Sequence, residues 1–109
     1  MPGTAVQSEK LARDLAERFP ASWEAQNLAA SILEAVSKPG DAIPYREKQL
    51  PLDPANWVPK NSLAIDLEKT TQIAQAKVIY QQVVDAAPKS PEGLAAADAL
   101  KRLNGTESK

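Results

Sequence analysis

The chain contains no cysteine and no histidine. The first absence removes a disulfide frame and thiolate chemistry and leaves the redox compartment open; the second removes the commonest zinc ligand and the commonest general base. Glycine occurs four times and aromatic residues make up 5% of the 109 positions, so no glycine-rich loop is present to cradle a phosphate. No run approaches the roughly 18 apolar residues of a membrane span. The opening Met1-Pro2-Gly3-Thr4-Ala5-Val6 lacks both the basic start and the apolar stretch of a signal peptide. Thirteen Lys and Arg stand against fourteen Asp and Glu, for a net charge of −1, and the basic residues are scattered, which excludes the concentrated field that nucleic acid requires. The carboxylate pairs Glu9/Asp14 and Asp66/Glu68 read as solvated helix faces. With no nucleophile placed beside a base, no catalytic residue, metal ligand or cofactor is assigned and the chain is not expected to be an enzyme.

What the chain does have is alanine. Apolar residues reach 43% with few aromatics, a balance that favours close helix–helix packing over a β-sandwich. The length suits one compact unit, either a single core or a short solenoid, burying roughly two-thirds of its unfolded surface. Laid on itself, the sequence repeats: Pro20, Pro54 and Pro88 are spaced by 34 residues, as are Trp23 and Trp57, and Asn27 and Asn61. Self-similarity at such a period signals an array of supersecondary units.

Apolar periodicity predicts six helices. The first runs over 4–19, with Thr4 as N-cap, Val6, Leu11, Leu15, Ala16 and Phe19 on its apolar stripe, and Pro20 ending it. Ser22 caps a second from Trp23 to about Ser37. A turn at Lys38-Pro39-Gly40-Asp41 follows, Gly40 supplying the torsions and Asp41 the next cap. The third helix, about Ala42 to Leu50, is expected to be short and frayed because Pro44 and Pro51 interrupt it. Asn56 caps a fourth, with Pro59 in its first turn, up to a break at Thr70-Thr71. The fifth spans Gln72 to about Ala87. The sixth starts at Ser90-Pro91-Glu92 and ends at Asn104-Gly105.

The segment ending Ala76, Tyr80, Val83, Pro88 and the preceding Leu63, Ala64, Leu67, echoed by Ala29, Ala30, Leu33 one period earlier, resemble the tetratricopeptide repeat family, whose units have 34 residues, two helices and a closing proline. Two departures stand out. Arg46 replaces the aromatic of the second helix, and the family's tryptophan slot falls on Gln26 and Lys60, with Trp23 and Trp57 three residues ahead. The resemblance implies an all-α, right-handed superhelix of antiparallel helix pairs. In that register 4–19 is the second helix of an incomplete repeat, 21–54 and 55–88 are full repeats, 91–103 is a terminal capping helix, and 104–109 form a disordered tail. The first hairpin lacks its first helix, so either a longer array precedes it or the helix finds its partner in a second copy, giving a homodimer.

The resemblance also implies a protein–protein interaction module. In the family the first helix of each repeat lines a concave face that holds a peptide or helix. By register the candidates are Asn27, Ser31 and Glu34, then Asn61, Ile65, Glu68 and Lys69. The two asparagines could hold a peptide backbone by donor and acceptor together, or simply be solvated polar residues. Family members that clamp acidic C-termini use basic side chains where this chain has Glu24, Val58 and Glu92, so the expected partner is neutral or basic. Trp23 and Trp57, repeated at helix starts, read as staples between hairpins rather than binding anchors.

Overall fold

In the computed structural model, which describes residues 2–107 and the side chains of 6–105, the described residues form six α-helices and no strand. They are α1 (Pro2–Arg18), α2 (Trp23–Ala35), α3 (Pro39–Leu52), α4 (Val58–Lys69), α5 (Ile73–Ala86) and α6 (Pro91–Glu107). Each packs chiefly on the next in the chain, and α4 also touches α6. The molecule measures 43 × 29 × 20 Å with a radius of gyration of 14.7 Å, longer than the about 13 Å of a sphere-like domain of this length.

Cap chemistry fixes the helix starts. Ser22 Oγ accepts from Ala25 N at 3.1 Å and Ser90 Oγ from Gly93 N at 2.9 Å; at α4 the cap position falls on Trp57 rather than the expected Asn56, whose Oδ1 accepts from Val58 N at 3.0 Å one residue ahead of it. These side-chain acceptors recur every 34 residues, as do the C-cap torsions of Val36 (φ −94°, ψ 17°) and Thr70 (φ −97°, ψ 17°). The chain leaves α2 and α4 through Ser37 and Thr71, both at φ 63°. Gly40 therefore does not supply the turn. It lies inside α3, with Lys38 at the cap position and Asp41 in the first turn, where it pairs with Arg13 at 2.9 Å. Pro2 starts α1 upstream of Thr4, so Thr4 is not its cap.

The third helix is also longer than its prolines suggest. It spans 14 residues with Pro44 and Pro51 inside. An interior proline costs about 3 kcal/mol and leaves one carbonyl unserved. Here those carbonyls belong to Gly40 and Glu47, both exposed to water. The opposing force is tertiary. Ala42 and Tyr45 enter one core with Ala12, Ala16, Ala29, Ala30 and Leu33, while Ile43 and Leu50 pack against a second core. That second core holds Leu63, Ala64, Leu67, Ala76, Tyr80, Val83, Ala96, Ala99 and Leu103. Helix α3 thus joins the two.

The terminal helices turn small residues inward. Among the described side chains of α1 the buried ones are Ala12 and Ala16, whereas Leu11 is 69% exposed, Val6 and Leu15 are exposed too, and Phe19 just past the helix is 54% exposed. In α6, Ala96 and Ala99 are buried and Leu94 is exposed. The expected apolar stripe of α1 is therefore rotated, since alanine lets backbones approach closely and leaves Val6, Leu11 and Leu15 on the uncovered side, whereas α6 keeps Leu103 in the core and Leu100 packed against it. Gln26, fully buried, donates its amide to the carbonyl of Ala16 (3.0 Å), an acceptor left open because Pro20 has no N–H four residues on, and also reaches that of Phe19 (3.3 Å) just past the helix end. Gly93 belongs to the same logic: a Cβ there would collide with the Ala87 carbonyl. At the other end α6 continues through Asn104 and Gly105 to Glu107, past the expected stop. Of the expected tail 104–109, residues 104–107 are therefore helical, and Ser108 and Lys109 lie outside the described residues.

Candidate partner-binding face

The candidates divide into two groups. Asn27, Ser31 and Glu34 stand one helical turn apart on α2 and converge on Arg46 of α3, which is only 4% exposed. Arg46 grips Glu34 with both arms of its fork, Nε–Oε2 at 2.9 Å and Nη2–Oε1 at 2.6 Å. It also donates to Asn27 Oδ1 at 2.7 Å, Gln49 Oε1 at 2.8 Å and, more weakly, Ser31 Oγ at 3.4 Å. The amide of Gln49 in turn reaches Asn27 Oδ1 and the Trp23 carbonyl. These pairings run in opposite directions along α2 and α3, Trp23 with Gln49 and Glu34 with Arg46, as two antiparallel helices require. Asn27 and Glu34 are thus engaged within their own chain.

The arrangement repeats with different chemistry. Glu68, 34 residues after Glu34, accepts from Tyr80 Oη at 2.9 Å, and Tyr80 is 34 residues after Arg46. Arg102 of α6 then clamps Glu68 from the other side at 2.6 and 3.0 Å. The Arg102 hydrogen bonds, helped by that of Tyr80, lower the Glu68 pKa against the effect of burial. Burial first, then Glu68, pushes the Tyr80 phenol well above its usual range.

Asp66 corrects the expectation of a solvated carboxylate pair. It is 1% exposed, and desolvation, reinforced by the Glu34 carboxyl across the α2–α4 seam, raises its pKa to about 8. Burial also works to raise Glu34, but the hydrogen bonds from Arg46 and Asp66 overcome it and the net effect lowers it. At neutral pH the two carboxyls therefore share a proton that resides on Asp66. Ile32 and Leu100 occupy the positions one period before and after Asp66, so its slot is an apolar one in the repeat.

Two depressions meet along α4. Asn61, Ile65, Tyr80, Ala95, Asp98, Ala99 and Arg102 line an open one of about 440 Å³ between α4 and α6. Glu34, Ser62, Ile65, Asp66 and Lys69 line a smaller one of about 100 Å³ between α2 and α4. Ile65 lies in both, making the α2–α4–α6 side one continuous strip. In the larger depression Asn61 Oδ1 is buried without a hydrogen-bond partner. The tryptophans line neither. Trp57 is packed against the larger core with Lys60 Nζ 5.7 Å from its ring centre, and Trp23 is half-buried with an unpartnered Nε1.

Arg46, Gln49, Asp66 and Arg102 were not among the sequence-derived site residues. The signal for the first two was a polar pair, three residues apart, standing where Tyr80 and Val83 stand one period later. Among the described residues no group of acidic side chains is arranged to hold a metal ion, and no helix is long and apolar enough to cross a membrane. Comparison of the chain with known protein families and with curated proteins returns no match.

Proposed function

We propose that the chain is a tetratricopeptide-like array, a right-handed superhelix of antiparallel helix pairs, that captures a protein segment along the α2–α4–α6 face. The observation that carries this reading is Asn61. Its carbonyl oxygen is buried, unpartnered and set in the wall of an open depression with apolar Ile65, Ala95 and Ala99 beside it. A buried acceptor without a donor costs roughly 1–3 kcal/mol, and a backbone N–H of an incoming segment would remove that cost. The elongated shape, the neighbour-to-neighbour packing and the 34-residue recurrence of caps, torsions and Glu-centred bonds support the array. No reaction and no cofactor is assigned.

The test is selection of binders from a random peptide library, followed by affinity measurement. Asn61→Ala is expected to weaken selected peptides about five- to tenfold, for loss of one buried hydrogen bond, and Ile65→Arg to abolish binding. Unchanged affinity in both variants would overturn the proposal.

A second reading has its own observation. Leu11 and Leu15 line a depression of about 520 Å³ with Asp14, Glu17 and Arg18 on α1, which also exposes Val6, and Phe19 is exposed just past its end. A second copy of this chain placed there would bury that apolar surface, so the reading expects a dimer. Sedimentation over a hundredfold concentration range tests it: a constant monomer mass contradicts it.

A further inference from the structure

We propose that the notch between α2 and α4 is a seat for the primary ammonium of a lysine side chain carried by the partner segment. The inference rests on the α2–α4–α6 face being the docking face, and it names what the partner must bring there.

The acceptors set the chemistry. Asp66 is almost wholly buried, lines the notch, and its Oδ2 has no hydrogen-bond partner. Glu34 lines it from the other wall, its two oxygens already taken on one side by the Arg46 fork. Ser62, one turn before Asp66 on α4, also lines the notch and carries a hydroxyl. A guanidinium wants a carboxylate it can grip with two parallel bonds, and Arg46 has used the available one. What remains are separate single acceptors, which match the three N–H groups of a tetrahedral ammonium. The about 100 Å³ of the notch accommodates an ammonium with its last methylenes, and Ile65 offers the apolar wall those methylenes need.

Charge balance gives the same answer. The charged and titratable groups facing Asp66 are Glu34 from α2, Arg46 from α3, Lys69 on its own helix and Tyr80 from α5, with Glu68 beyond. Lys69 acts on both carboxyls through space and makes no hydrogen bond to either. Burial, reinforced by the neighbouring Glu34 carboxyl, keeps a proton on Asp66 at neutral pH against the opposing charges of Arg46 and Lys69. An ammonium entering the notch takes the place of that proton one for one, leaving net charge unchanged and releasing H⁺ to solvent. Binding is therefore linked to pH: with Asp66 titrating at about 8, the ionised fraction falls about fifty-fold between pH 8 and pH 6, and affinity falls with it.

The probe is butylammonium, with butanol as the uncharged control, titrated into the full chain while carboxyl and amide resonances are followed by NMR. Expected are saturable shifts at Asp66, Glu34 and Ser62 at pH 8, about fifty-fold weaker binding at pH 6, no response to butanol, and loss of the response in Asp66→Asn with its amide spectrum otherwise native. Absence of saturable shifts in the wild type at pH 8, equal affinity at the two pH values, or an undiminished response in Asp66→Asn overturns the ammonium seat. The docking face is judged separately. Library peptides that need Asn61 and Ile65 while butylammonium is silent overturn the seat and leave the face standing. Peptides indifferent to both residues while butylammonium binds do the reverse.

Discussion

Replacing Arg46 by leucine should cost more stability than any other single side-chain change in the N-terminal half. The guanidinium is 4% exposed and supplies donors to Glu34, Asn27, Gln49 and Ser31. Its removal leaves the Glu34 carboxylate, which is itself mostly covered, without its counter-charge, takes the donor from Gln49 Oε1 and takes the shorter of two donors from Asn27 Oδ1. Removing one partner of a buried ion pair costs about 3–5 kcal/mol, at least about a fifth of the 5–15 kcal/mol that holds a typical domain together. Replacing both partners, Arg46→Leu with Glu34→Leu, leaves no unpaired charge, so the double variant is expected to be more stable than Arg46→Leu alone by about 2 kcal/mol. Urea unfolding followed by circular dichroism measures both. Tryptophan fluorescence adds a local probe, since the carbonyl of Trp23 touches the network through Gln49 whereas Trp57 packs on the other core. A loss below about 1 kcal/mol for Arg46→Leu, the size expected of an exposed pair, would refute the view that this network holds α3 together across its prolines.

Three further outcomes follow from the same geometry. Asp66 binds its proton more tightly folded than unfolded, with a value raised from 3.8 to about 8, so its contribution is fully present below about pH 4 and is lost as pH rises to about 8. Wild-type stability should therefore fall across that window by up to about 1.4 kcal/mol per pH unit from this group, and Asp66→Asn should flatten the dependence and be the more stable protein at pH 8 in thermal melts. Gly93→Ala should lose about 3 kcal/mol or more in urea unfolding, because the new Cβ meets the backbone of Ala87 rather than a side chain that can swing away; a near-neutral result would show that the α5–α6 turn relaxes freely. Hydrogen exchange should find stronger protection over 58–103 than over 23–50, since leucine, valine and tyrosine fill the C-terminal core where alanine dominates the other, and the reverse order would contradict the packing argument.

What could be read in advance was what local chemistry decides. Ser22, Asn56 and Ser90 announce helix starts through a side-chain oxygen that reaches two or three residues ahead, and the same three positions carry the period. Ala30 and Ala64 mark close approach in both repeats and are fully buried in both. The errors came where tertiary terms outweighed local ones. Pro44 and Pro51 argue against a long α3 on local grounds, and the opposing network is built from Asn27, Ser31 and Glu34, 12 to 19 residues away along the chain. Gly40 was the natural choice for a positive φ, yet Ser37 takes that torsion, as Thr71 does one period on. Asp66 beside Glu68 looks like a solvated pair when only spacing is considered. Its burial depends on how α2 meets α4, and the hint lay in aligning it with Ile32 and Leu100.

The central claim is that the strip along α2, α4 and α6 is where a partner segment docks. The direct measurement is an amide chemical-shift map of the ¹⁵N-labelled chain saturated with a library-selected peptide. The account predicts that the largest shifts fall on Asn61, Ile65, Asp98 and Arg102 and extend to Ser62 and Lys69. Shifts confined to Leu11 and Leu15 on α1 and to Phe19 just past it, with the strip unmoved, would contradict it.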